Sequence, residues 1–463
     1  MTQIKPDIFT DIIVIGLGPA GMAVSVMATE MGLKVIAVEK HKIGGECANI
    51  GCIPSKGLIK ASLNSMALQK NIPEIFKKVR DDVNFIHEKK MKSMFEKIEI
   101  IKGEAKFVDK KSVKVEGKIL SAKYIFICTG SKPFVPPVEG LKEIKYLTNE
   151  NVFELKTAPK SLVILGGGAI GCEMAYAFNN LGTKCTIINM DKRLLNHTDE
   201  EASIELQTSF KDKGIELYNG EKAIEITKQN EQVVVKCESG LEIRGEKILV
   251  AAGRSPSIKN LDLDRAKIKF SNKGIITDED LKTTNKRIFA CGDCNGKVLL
   301  SHAAMFQGML ALLSTISFGY KRKFKNYPVP YTVFVQPEIS AVGMGAEELK
   351  AKNIKFDTIK VKYSDYGSAI AENEAVGFVK AFISPFGKIY GAVIVGYKSG
   401  EMINEWALAI TNNIKIYDIM LTMHSFPTMG FLTKRVAETW MMSQLSDTSF
   451  KGRLMKKLIR WIF

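Results

Sequence analysis

The sequence predicts an α/β protein with more than one domain, and three observations support this prediction. The chain has 463 residues, which is too long for a single hydrophobic core and suits about three domains. Two strand–glycine turn–helix–strand units begin their turns at Gly16 and Gly166. From residue 336 onward, strand and helix segments alternate without such a turn. We therefore expect two Rossmann-type dinucleotide-binding domains and a C-terminal α+β domain.

The first unit has the complete pattern of a dinucleotide-binding turn. An apolar strand leads into Gly-Leu-Gly-Pro-Ala-Gly at residues 16–21, and a helix of small residues and a second strand ending at Glu39 follow. Gly16 allows the tight turn, Gly18 lets a pyrophosphate approach the backbone, and Gly21 permits close helix–strand packing. The pyrophosphate would bind at the helix N-terminus, and Glu39 would hydrogen-bond a ribose diol.

The second unit repeats this pattern with one change. An apolar strand leads into Gly-Gly-Gly-Ala-Ile-Gly at residues 166–171, which is followed by a helix and a second strand. That strand ends at Asn189, where a site for NAD usually has an acid. An amide cannot repel a 2′-phosphate as a carboxylate does, so we expect weak discrimination between NADH and NADPH, slightly in favour of NADH.

Two of the eight cysteines have a spacing that predicts joint chemistry. Cys47 and Cys52 have four residues between them, so a helix that begins beside them would bring their side chains to disulfide distance. A disulfide at a helix N-terminus is easily reduced, because the amide groups stabilise the thiolate. Cys291 and Cys294 form a C-x-x-C pair without a second pair of ligands, so we predict no metal site. This cysteine usage suits a reducing cytoplasm.

The composition excludes some classes of function. No run of 18 apolar residues occurs, so a membrane-spanning helix is not expected. The net charge of +16 is compatible with nucleic acid, with an anionic membrane or with a lysine-rich solvated surface. Because no nucleic-acid-binding motif accompanies the charge, we favour the solvated surface and predict no nucleic-acid partner.

The order of motifs resembles that of the flavoprotein pyridine nucleotide-disulfide oxidoreductases (class I). The residues within the motifs are most similar to those of dihydrolipoamide dehydrogenase and mercuric reductase-like members. The motifs are the first glycine turn, Gly-Gly-Glu-Cys-Ala-Asn-Ile-Gly-Cys-Ile-Pro-Ser-Lys, Cys-Thr-Gly-Ser, the second glycine turn, Gly-Arg-Ser-Pro and Gly-Asp. The resemblance implies FAD and NAD(P)H as cofactors and a homodimer. It also implies an FAD-binding domain at residues 1–148 and 273–335, an NAD(P)-binding domain at 149–272 and a dimerisation domain at 336–449. The pattern of residues 450–463 itself predicts a basic amphipathic C-terminal helix.

The resemblance also implies roles for individual residues. The residues expected to bind FAD are Gly16, Gly18, Pro19, Ala20, Gly21, Glu39, Lys40, Gly45, Lys56, Ala105, Thr129, Gly130, Ser131, Asp293, Leu299 and His302. The residues expected to bind NAD(P) are Gly166, Gly168, Ala169, Ile170, Gly171, Glu173, Asn189, Gly253 and Arg254. The catalytic residues are expected to be Cys52 beside the flavin, Cys47 as the thiol that exchanges with substrate, and Lys56 with Glu173 as an ion pair beside the flavin.

The sequence departs from the family where disulfide-reducing members have a His-Pro-x-x-x-Glu dyad that serves the outer thiol. The corresponding stretch here has Phe426 in place of the His and Phe431 in place of the Glu. His424 lies two residues earlier, roughly 6–7 Å away along an extended chain, and is a weaker candidate for the base. We therefore expect an acceptor other than a standard dithiol or disulfide. Alternatives are a metal-ion or quinone reductase at a membrane surface, and a non-enzymatic flavin- or NADH-binding sensor or assembly subunit.

The C-terminal segment is the second departure. Residues 450–463 contain five basic residues and no acid, and a helix would place most of them opposite a broad apolar face. Such a helix suits the inner surface of an anionic membrane or a site on the partner subunit, and the sequence leaves both interpretations open.

Overall fold

The computed structural model describes residues 5–68, 71–316 and 323–446, without the side chains of residues 64–68. The predicted C-terminal helix lies outside these residues. The chain forms two compact units: the first comprises residues 1–190 and 215–326, and the second comprises residues 191–214 and 327–463. Within the described ranges, no helix is long and apolar enough to cross a membrane.

The helices alternate with strands along most of the chain. The α-helices are α1 (Pro19–Glu30), α2 (Gly45–Ile50), α3 (Cys52–Leu68), α4 (Ile72–Phe85), α5 (Lys92–Met94), α6 (Ala169–Asn180), α7 (Glu200–Asp212), α8 (Ser301–Ile316), α9 (Ala346–Ala351), α10 (Gly367–Ala371), α11 (Ser399–Thr411), α12 (Ile416–Leu421) and α13 (Phe431–Ser446).

The strands are short, as is usual for α/β proteins. They are β1 (Ile8–Ile15), β2 (Val35–Glu39), β3 (Glu99–Lys102), β4 (Lys106–Phe107), β5 (Ser112–Val115), β6 (Lys118–Ile127), β7 (Ser131–Pro133), β8 (Ser161–Leu165), β9 (Lys184–Asn189), β10 (Glu216–Asn219), β11 (Ala223–Gln229), β12 (Gln232–Cys237), β13 (Glu242–Gly245), β14 (Lys247–Val250), β15 (Arg254–Pro256), β16 (Phe270–Ser271), β17 (Gly274–Ile275), β18 (Ile288–Ala290), β19 (Tyr331–Val333), β20 (Ile339–Gly343), β21 (Asp357–Lys362), β22 (Phe378–Ile383) and β23 (Ile389–Val395).

The first unit contains a seven-stranded sheet with a parallel centre. Its order is β3-β2-β1-β6-β5-β4, and β18 also pairs with β6. Strands β3, β2, β1, β6 and β18 are parallel, whereas β5 and β4 are antiparallel additions. Every residue of β2 is buried, as expected for a parallel strand covered on both faces. Helices α1 and α8 pack on each other beside this sheet.

The same unit contains a second parallel sheet of order β10-β9-β8-β14. Helix α6 follows β8 as α1 follows β1, so the nucleotide-binding topology occurs twice. A three-stranded antiparallel sheet, β11-β12-β13, shares a core with β8 and β14.

The second unit is built on an antiparallel sheet of order β19-β20-β23-β22-β21. Helices α11, α12 and α13 contribute to its core, where Trp406 is fully buried. The predicted fold class, two Rossmann-type domains and a C-terminal α+β domain, is confirmed. Residues 191–214, which include α7, have their contacts within this second unit. The three-domain boundaries stay a prediction.

Candidate active site

The first glycine turn has the shape that a pyrophosphate requires. Gly16 has a φ of +94°, and a Cβ there would lie 2.6 Å from the carbonyl oxygen of Cys128. A Cβ at Gly21 would lie 1.9 Å from the carbonyl oxygen of Gly16, so both positions require glycine. A Cβ at Gly18 would meet no atom within 4 Å. The turn is therefore open at Gly18, beside the N-terminus of α1, where an anion is stabilised.

Glu39 supports this turn from the end of β2. Its Oε2 accepts the N–H of Leu17 at 2.7 Å, and its Oε1 accepts the N–H of His41 at 2.7 Å. The carboxylate is 9% exposed and keeps further acceptor positions for a ribose diol. Gly45, at the start of α2, comes so close to the turn that a Cβ there would lie 2.8 Å from Cα of Gly18.

The other predicted FAD residues lie in several environments of the first unit. Asp293, three residues after the end of β18, accepts a hydrogen bond from the Ser131 hydroxyl at 2.6 Å. The Thr129 hydroxyl is buried and has no hydrogen-bond partner among the described residues, so a bound polar group would satisfy it. Together with the open turn, this orphaned hydroxyl shows that the site suits a dinucleotide. The remaining positions are Pro19 and Ala20 in the first turn of α1, exposed Lys40, Leu299 and His302, partly exposed Gly130, and buried Ala105.

The second glycine turn repeats the geometry of the first. A Cβ at Gly166 would lie 2.4 Å from the carbonyl oxygen of Ala251, and a Cβ at Gly171 would lie 2.0 Å from that of Gly166. A Cβ at Gly168 would meet no atom within 4 Å. Ala169 and Ile170 form the first turn of α6, and Gly253 is exposed. The residues fit a second pyrophosphate at the α6 N-terminus.

Asn189 has the same place relative to the second glycine turn as Glu39 has relative to the first. Its Oδ1 accepts the N–H of Gly167 at 3.3 Å, and its Nδ2 donates to Oδ1 of Asn219 at 3.0 Å. The side chain is 4% exposed. Asn189 therefore supports the turn with its oxygen, as Glu39 does, while its nitrogen is directed to Asn219.

Arg254 contacts other residues of the first unit rather than open solvent. Its Nε donates to the Ser131 hydroxyl at 2.7 Å and lies 3.7 Å from Oδ2 of Asp293, while a terminal nitrogen forms an ion pair with Glu46. Asn149 donates to the same Glu46 oxygen at 3.3 Å. Burial raises the pKa of Glu46, and Arg254 opposes that shift. The guanidinium thus links β15 to α2, and its predicted contact with NAD(P) stays a prediction.

Cys47 and Cys52 lie together, with Cys47 in α2 and Cys52 as the first residue of α3. Both thiols are free and partly buried. The hydrogen bond from Cys47, a hydrogen bond from Ser301 and the charge of Lys56 lower the pKa of Cys52 to about 5, although burial opposes them. The same contact with Cys52, together with burial, raises the pKa of Cys47 well above that of an ordinary thiol. The two sulfurs therefore differ in charge at neutral pH.

Lys56 lies one helical turn after Cys52 on α3 and forms an ion pair with Glu173 of α6. The Lys56 Nζ atom is 3.0 Å from Oε1 and 2.8 Å from Oε2 of Glu173. The Glu173 side chain is 7% exposed and that of Lys56 is 34% exposed. The pair fixes a cation near the cysteines and connects the helices that follow the redox motif and the second glycine turn.

The second unit has an aromatic cluster at the two positions where the sequence lacks the acid–base dyad. The rings of Phe426 and Phe431 lie 5.3 Å apart edge to face, and Tyr366 stacks on Phe431 at 6.1 Å. His424 is engaged elsewhere: its Nε2 is 2.9 Å from Oε1 of Glu405, and its Nδ1 is 3.0 Å from the carbonyl oxygen of Thr422.

Three residues at the cysteine site were not found from the sequence. Ser301 contacts Cys52, and Glu46 and Asn149 hold α2. Glu46 lies inside the redox motif, but its partner Arg254 is distant in sequence, so no local pattern indicated their contact. Within the described ranges, no group of three or more His, Cys, Asp or Glu residues could hold a metal ion.

Comparisons with known proteins define the class. Residues 10–308 match the pyridine nucleotide-disulphide oxidoreductase family, and residues 329–435 match the dimerisation domain of that family. The chain therefore belongs to the pyridine nucleotide-disulphide oxidoreductases. The members of the family contain FAD and use NAD(P)H, in agreement with the two dinucleotide sites, and the dimerisation domain supports a homodimer.

Relatives with different named activities are similar to this protein over nearly the whole chain. The chain is 33% identical to dihydrolipoyl dehydrogenase of Geobacillus stearothermophilus over 93% of this chain and 96% of the relative. It is 30% identical to mercuric reductase of Staphylococcus aureus over 93% of this chain and 82% of the relative. The HOCl-induced flavoprotein disulfide reductase RclA from Escherichia coli has a TM-score of 0.86 and 26% identity, covering 92% of this chain and 99% of that one. A Cu(II) complex of RclA, with a TM-score of 0.87 and 26% identity, covers 94% and 100% of the two chains.

Proposed function

We propose that this protein is an NAD(P)H oxidoreductase in which Cys47 and Cys52 form the redox pair and the electron acceptor is not a standard dithiol or disulfide. The observation that carries the proposal is the contact between the two thiols, with Cys52 favoured as a thiolate beside Lys56. Low-pKa, partly exposed cysteines at a helix N-terminus are reactive, whereas structural cysteines are buried and inert.

The proposed binding roles follow the two glycine turns. The turn with Gly18 and the acceptor oxygens of Glu39 would hold the adenosine half of FAD, and Asp293 with Thr129 would hold its polar chain. The turn with Gly168 would hold NAD(P)H. Bound at these residues, FAD would supply the two-electron chemistry that links NAD(P)H to the cysteine pair.

The cysteine pair takes up one proton for each pair of electrons in this proposal. Breaking the Cys47–Cys52 bond with two electrons yields two thiolates, and the high pKa of Cys47 means that this sulfur binds a proton. Cys52 stays a thiolate because Cys47, Ser301 and Lys56 stabilise its charge. Glu173 keeps the Lys56 ammonium in place.

The class of electron acceptor is inferred from the missing acid–base dyad. Phe426 and Phe431 have no titratable group, and both ring nitrogens of His424 face oxygen acceptors. These contacts favour His424 as a structural residue over a base for the outer thiol. An acceptor that takes electrons without help from a general acid or base is therefore favoured, although one similar relative is a dihydrolipoyl dehydrogenase.

A metal ion is one candidate acceptor of this class. One similar structure is a Cu(II) complex, and one relative is a mercuric reductase. A thiol–thiolate pair binds soft metal ions well. Its two electrons would reduce one Hg(II) ion or two Cu(II) ions while the Cys47–Cys52 disulfide re-forms and the Cys47 proton is released to solvent, so the metal itself takes up no proton. Specificity for mercury is less well supported, because no cysteine follows Cys294 that could add a thiolate ligand from the C-terminal domain.

The proposal is tested by steady-state oxidation of NADH and NADPH by the holoenzyme with lipoamide, Cu(II), Hg(II) and a soluble quinone as acceptors. We expect at least one non-thiol acceptor to exceed lipoamide in kcat/KM. Cys47→Ser and Cys52→Ser should each lose that turnover, whereas Cys237→Ala, which removes a thiol on β12, should keep it. Turnover that survives in both serine variants would show that the pair has no redox role, and no turnover with any acceptor would favour a sensor.

We also propose a cytoplasmic location, on the evidence of cysteine usage, and peripheral contact of residues 450–463 with anionic membrane. Co-sedimentation with phosphatidylserine vesicles, compared with a chain truncated after residue 449, tests the membrane contact. Equal sedimentation of the two chains would exclude it.

A further inference from the structure

Ser301 contacts the reactive sulfur from a distant part of the chain. It is the first residue of α8, and its Oγ lies 3.3 Å from Sγ of Cys52. The Ser301 hydroxyl also acts to lower the pKa of Cys47, although the contact with Cys52 and burial raise that pKa overall. Ser301 is partly buried, so solvent competes less for its hydroxyl than at an exposed site. The Ser301 hydroxyl therefore lies directly beside the sulfur of Cys52.

The direction of the hydrogen bond depends on the charge of Cys52. A serine hydroxyl is both a donor and an acceptor, whereas a thiolate has no proton and can only accept. When Cys52 is ionised, Ser301 must therefore be the donor. Hydrogen bonds to ionised groups are about twice as strong as neutral ones, so this contact favours the thiolate over the thiol.

Two helix N-termini add to this effect. Helix α3 has 17 residues and begins at Cys52 itself, and α8 has 16 residues and begins at Ser301. Both helices are long enough to present their positive ends to the sulfur, and negative charge is stabilised there. The charge of Lys56 acts in the same direction.

We propose that Ser301 is a functional residue of the dithiol site, whose hydroxyl donates a hydrogen bond to the Cys52 thiolate and holds the negative charge on that sulfur. The inference rests on the proposed redox role of the cysteine pair. Ser301 does not replace the missing dyad, which serves the outer thiol: its hydroxyl acts on Cys52 and stabilises the charge without itself titrating. The reduced pair would then carry one negative charge throughout the neutral range and would not depend on the protonation of a histidine.

The ionisation of the reduced cysteine pair tests this inference without any acceptor. The reduced holoenzyme is alkylated with iodoacetamide from about pH 4 to about pH 9, and the Cys47 and Cys52 peptides are quantified together by mass spectrometry, because coupled groups titrate as a pair. We expect the first ionisation of the wild-type pair at a pKa of about 5. Ser301→Val should raise it by about one unit, which is a tenfold change in the thiol–thiolate equilibrium, and Ser301→Thr should restore it.

A second serine provides the matched control. The Ser55 hydroxyl donates to the carbonyl oxygen of Cys52 at 3.1 Å and does not contact the sulfur, so Ser55→Ala should leave the ionisation unchanged. An unchanged pKa in Ser301→Val, or an equal shift in Ser301→Val and Ser301→Thr, would overturn the inference. If Ser301→Val does not retain FAD, Ser301→Ala replaces it, with the same expected shift.

The outcomes separate this inference from the proposed function. Turnover that persists in Cys47→Ser and Cys52→Ser, together with a shifted pKa in Ser301→Val, would remove the redox role and keep the hydrogen bond. Turnover that requires both cysteines, together with an unshifted pKa, would keep the redox role and remove the function of Ser301.

Discussion

At the residue scale, Glu39 and Asn189 show one structural role performed by two chemical groups. Each lies at the end of the strand that follows its glycine turn and helix, and each accepts a backbone N–H of that turn. The accepting oxygen is common to carboxylate and amide, so the turn tolerates either. Only the carboxylate would add a negative charge near the ribose, and only that charge would repel the 2′-phosphate of NADPH.

We predict that Asn189→Asp increases the preference for NADH. The new carboxylate can still accept the N–H of Gly167, while its charge repels the 2′-phosphate of NADPH. The wild-type kcat/KM ratio for the two cofactors should stay below about a hundredfold, or 2.7 kcal/mol, and the variant should shift it by about tenfold or more towards NADH. Steady-state kinetics with both cofactors measure the shift, with Asn189→Ala as the uncharged control. An unchanged ratio in Asn189→Asp would mean that Asn189 does not face the ribose.

Phe426 and Phe431 carry a second prediction. If the outer thiol has no base, dihydrolipoamide oxidation should be roughly 10²–10⁴-fold slower than in a relative with the dyad, which is the usual share of general acid–base catalysis. In this direction a thiolate of dihydrolipoamide attacks the Cys47–Cys52 disulfide, so the rate should rise with pH as the substrate thiol ionises, near an ordinary thiol pKa of about 8.5. The double variant Phe426→His and Phe431→Glu should recover part of the rate, while either single variant recovers less.

Flavin reduction by NADH is the internal control for these variants, because it involves neither phenylalanine and should stay fast. Rapid lipoamide turnover in the unaltered protein would contradict the prediction. His424→Gln would then show whether the histidine paired with Glu405 is the base.

At the element scale, the short helix α2 is held at both ends by residues from outside the redox motif. Arg254 pairs with Glu46 in its first turn, and Asn149 contacts Glu46 and the carbonyl oxygen of Ile50 at its last residue. Asn149 precedes β8 and Arg254 follows β14, so the two chain segments flanking the second parallel sheet both reach the helix that carries Cys47. A six-residue helix has little stability of its own, and these contacts position it.

We predict that Arg254→Gln destabilises the holoenzyme more than Glu46→Gln does. Removing Arg254 leaves Glu46 as a partly buried charge without its ion pair, at a cost below the roughly 3–5 kcal/mol of a fully buried pair, whereas Arg254 keeps Ser131 and Asp293 when Glu46 is neutralised. Burial already raises the pKa of Glu46, and losing Arg254 should raise it further. A carboxyl with a raised pKa is tolerated when protonated, so the Arg254→Gln deficit should shrink from about pH 8 to about pH 5.

Thermal unfolding and FAD retention at the two pH values measure this effect, with Arg244→Gln on β13 as an exposed control. An Arg254→Gln deficit that is independent of pH, or smaller than that of Glu46→Gln, would contradict the prediction.

The elements also show what a sequence can and cannot predict. The glycine turns, the buried strands and the cysteine spacing are local patterns, and they predicted both nucleotide-binding units and the redox pair. The Ser301–Cys52 contact, the Glu46–Arg254 pair and the His424–Glu405 pair join residues from distant segments. Such pairs depend on how helices and loops pack in three dimensions. The local sequence around a serine or a glutamate does not indicate its distant partner.

At the scale of the whole molecule, the charge of +16 is not accounted for by the described sites. Many of the lysines are exposed and form ion pairs at the surface, which contribute little to stability. An excess of positive charge nevertheless creates a field that attracts anions from a distance. NADH and NADPH are both anionic, and NADPH carries the larger charge.

We therefore predict that kcat/KM for the nicotinamide cofactor falls as salt is added, and more steeply for NADPH than for NADH. Raising the ionic strength from about 10 mM to about 0.15 M shortens the Debye length from roughly 30 Å to roughly 8 Å and screens the attraction. We expect a several-fold fall for NADPH, mainly in KM, while kcat changes little because the cysteine and flavin steps do not depend on encounter. Potassium chloride and potassium acetate should give the same curve at equal ionic strength, which separates screening from specific anion binding. A kcat/KM that is independent of salt for both cofactors would show that the surplus charge lies too far from the second glycine turn to steer them.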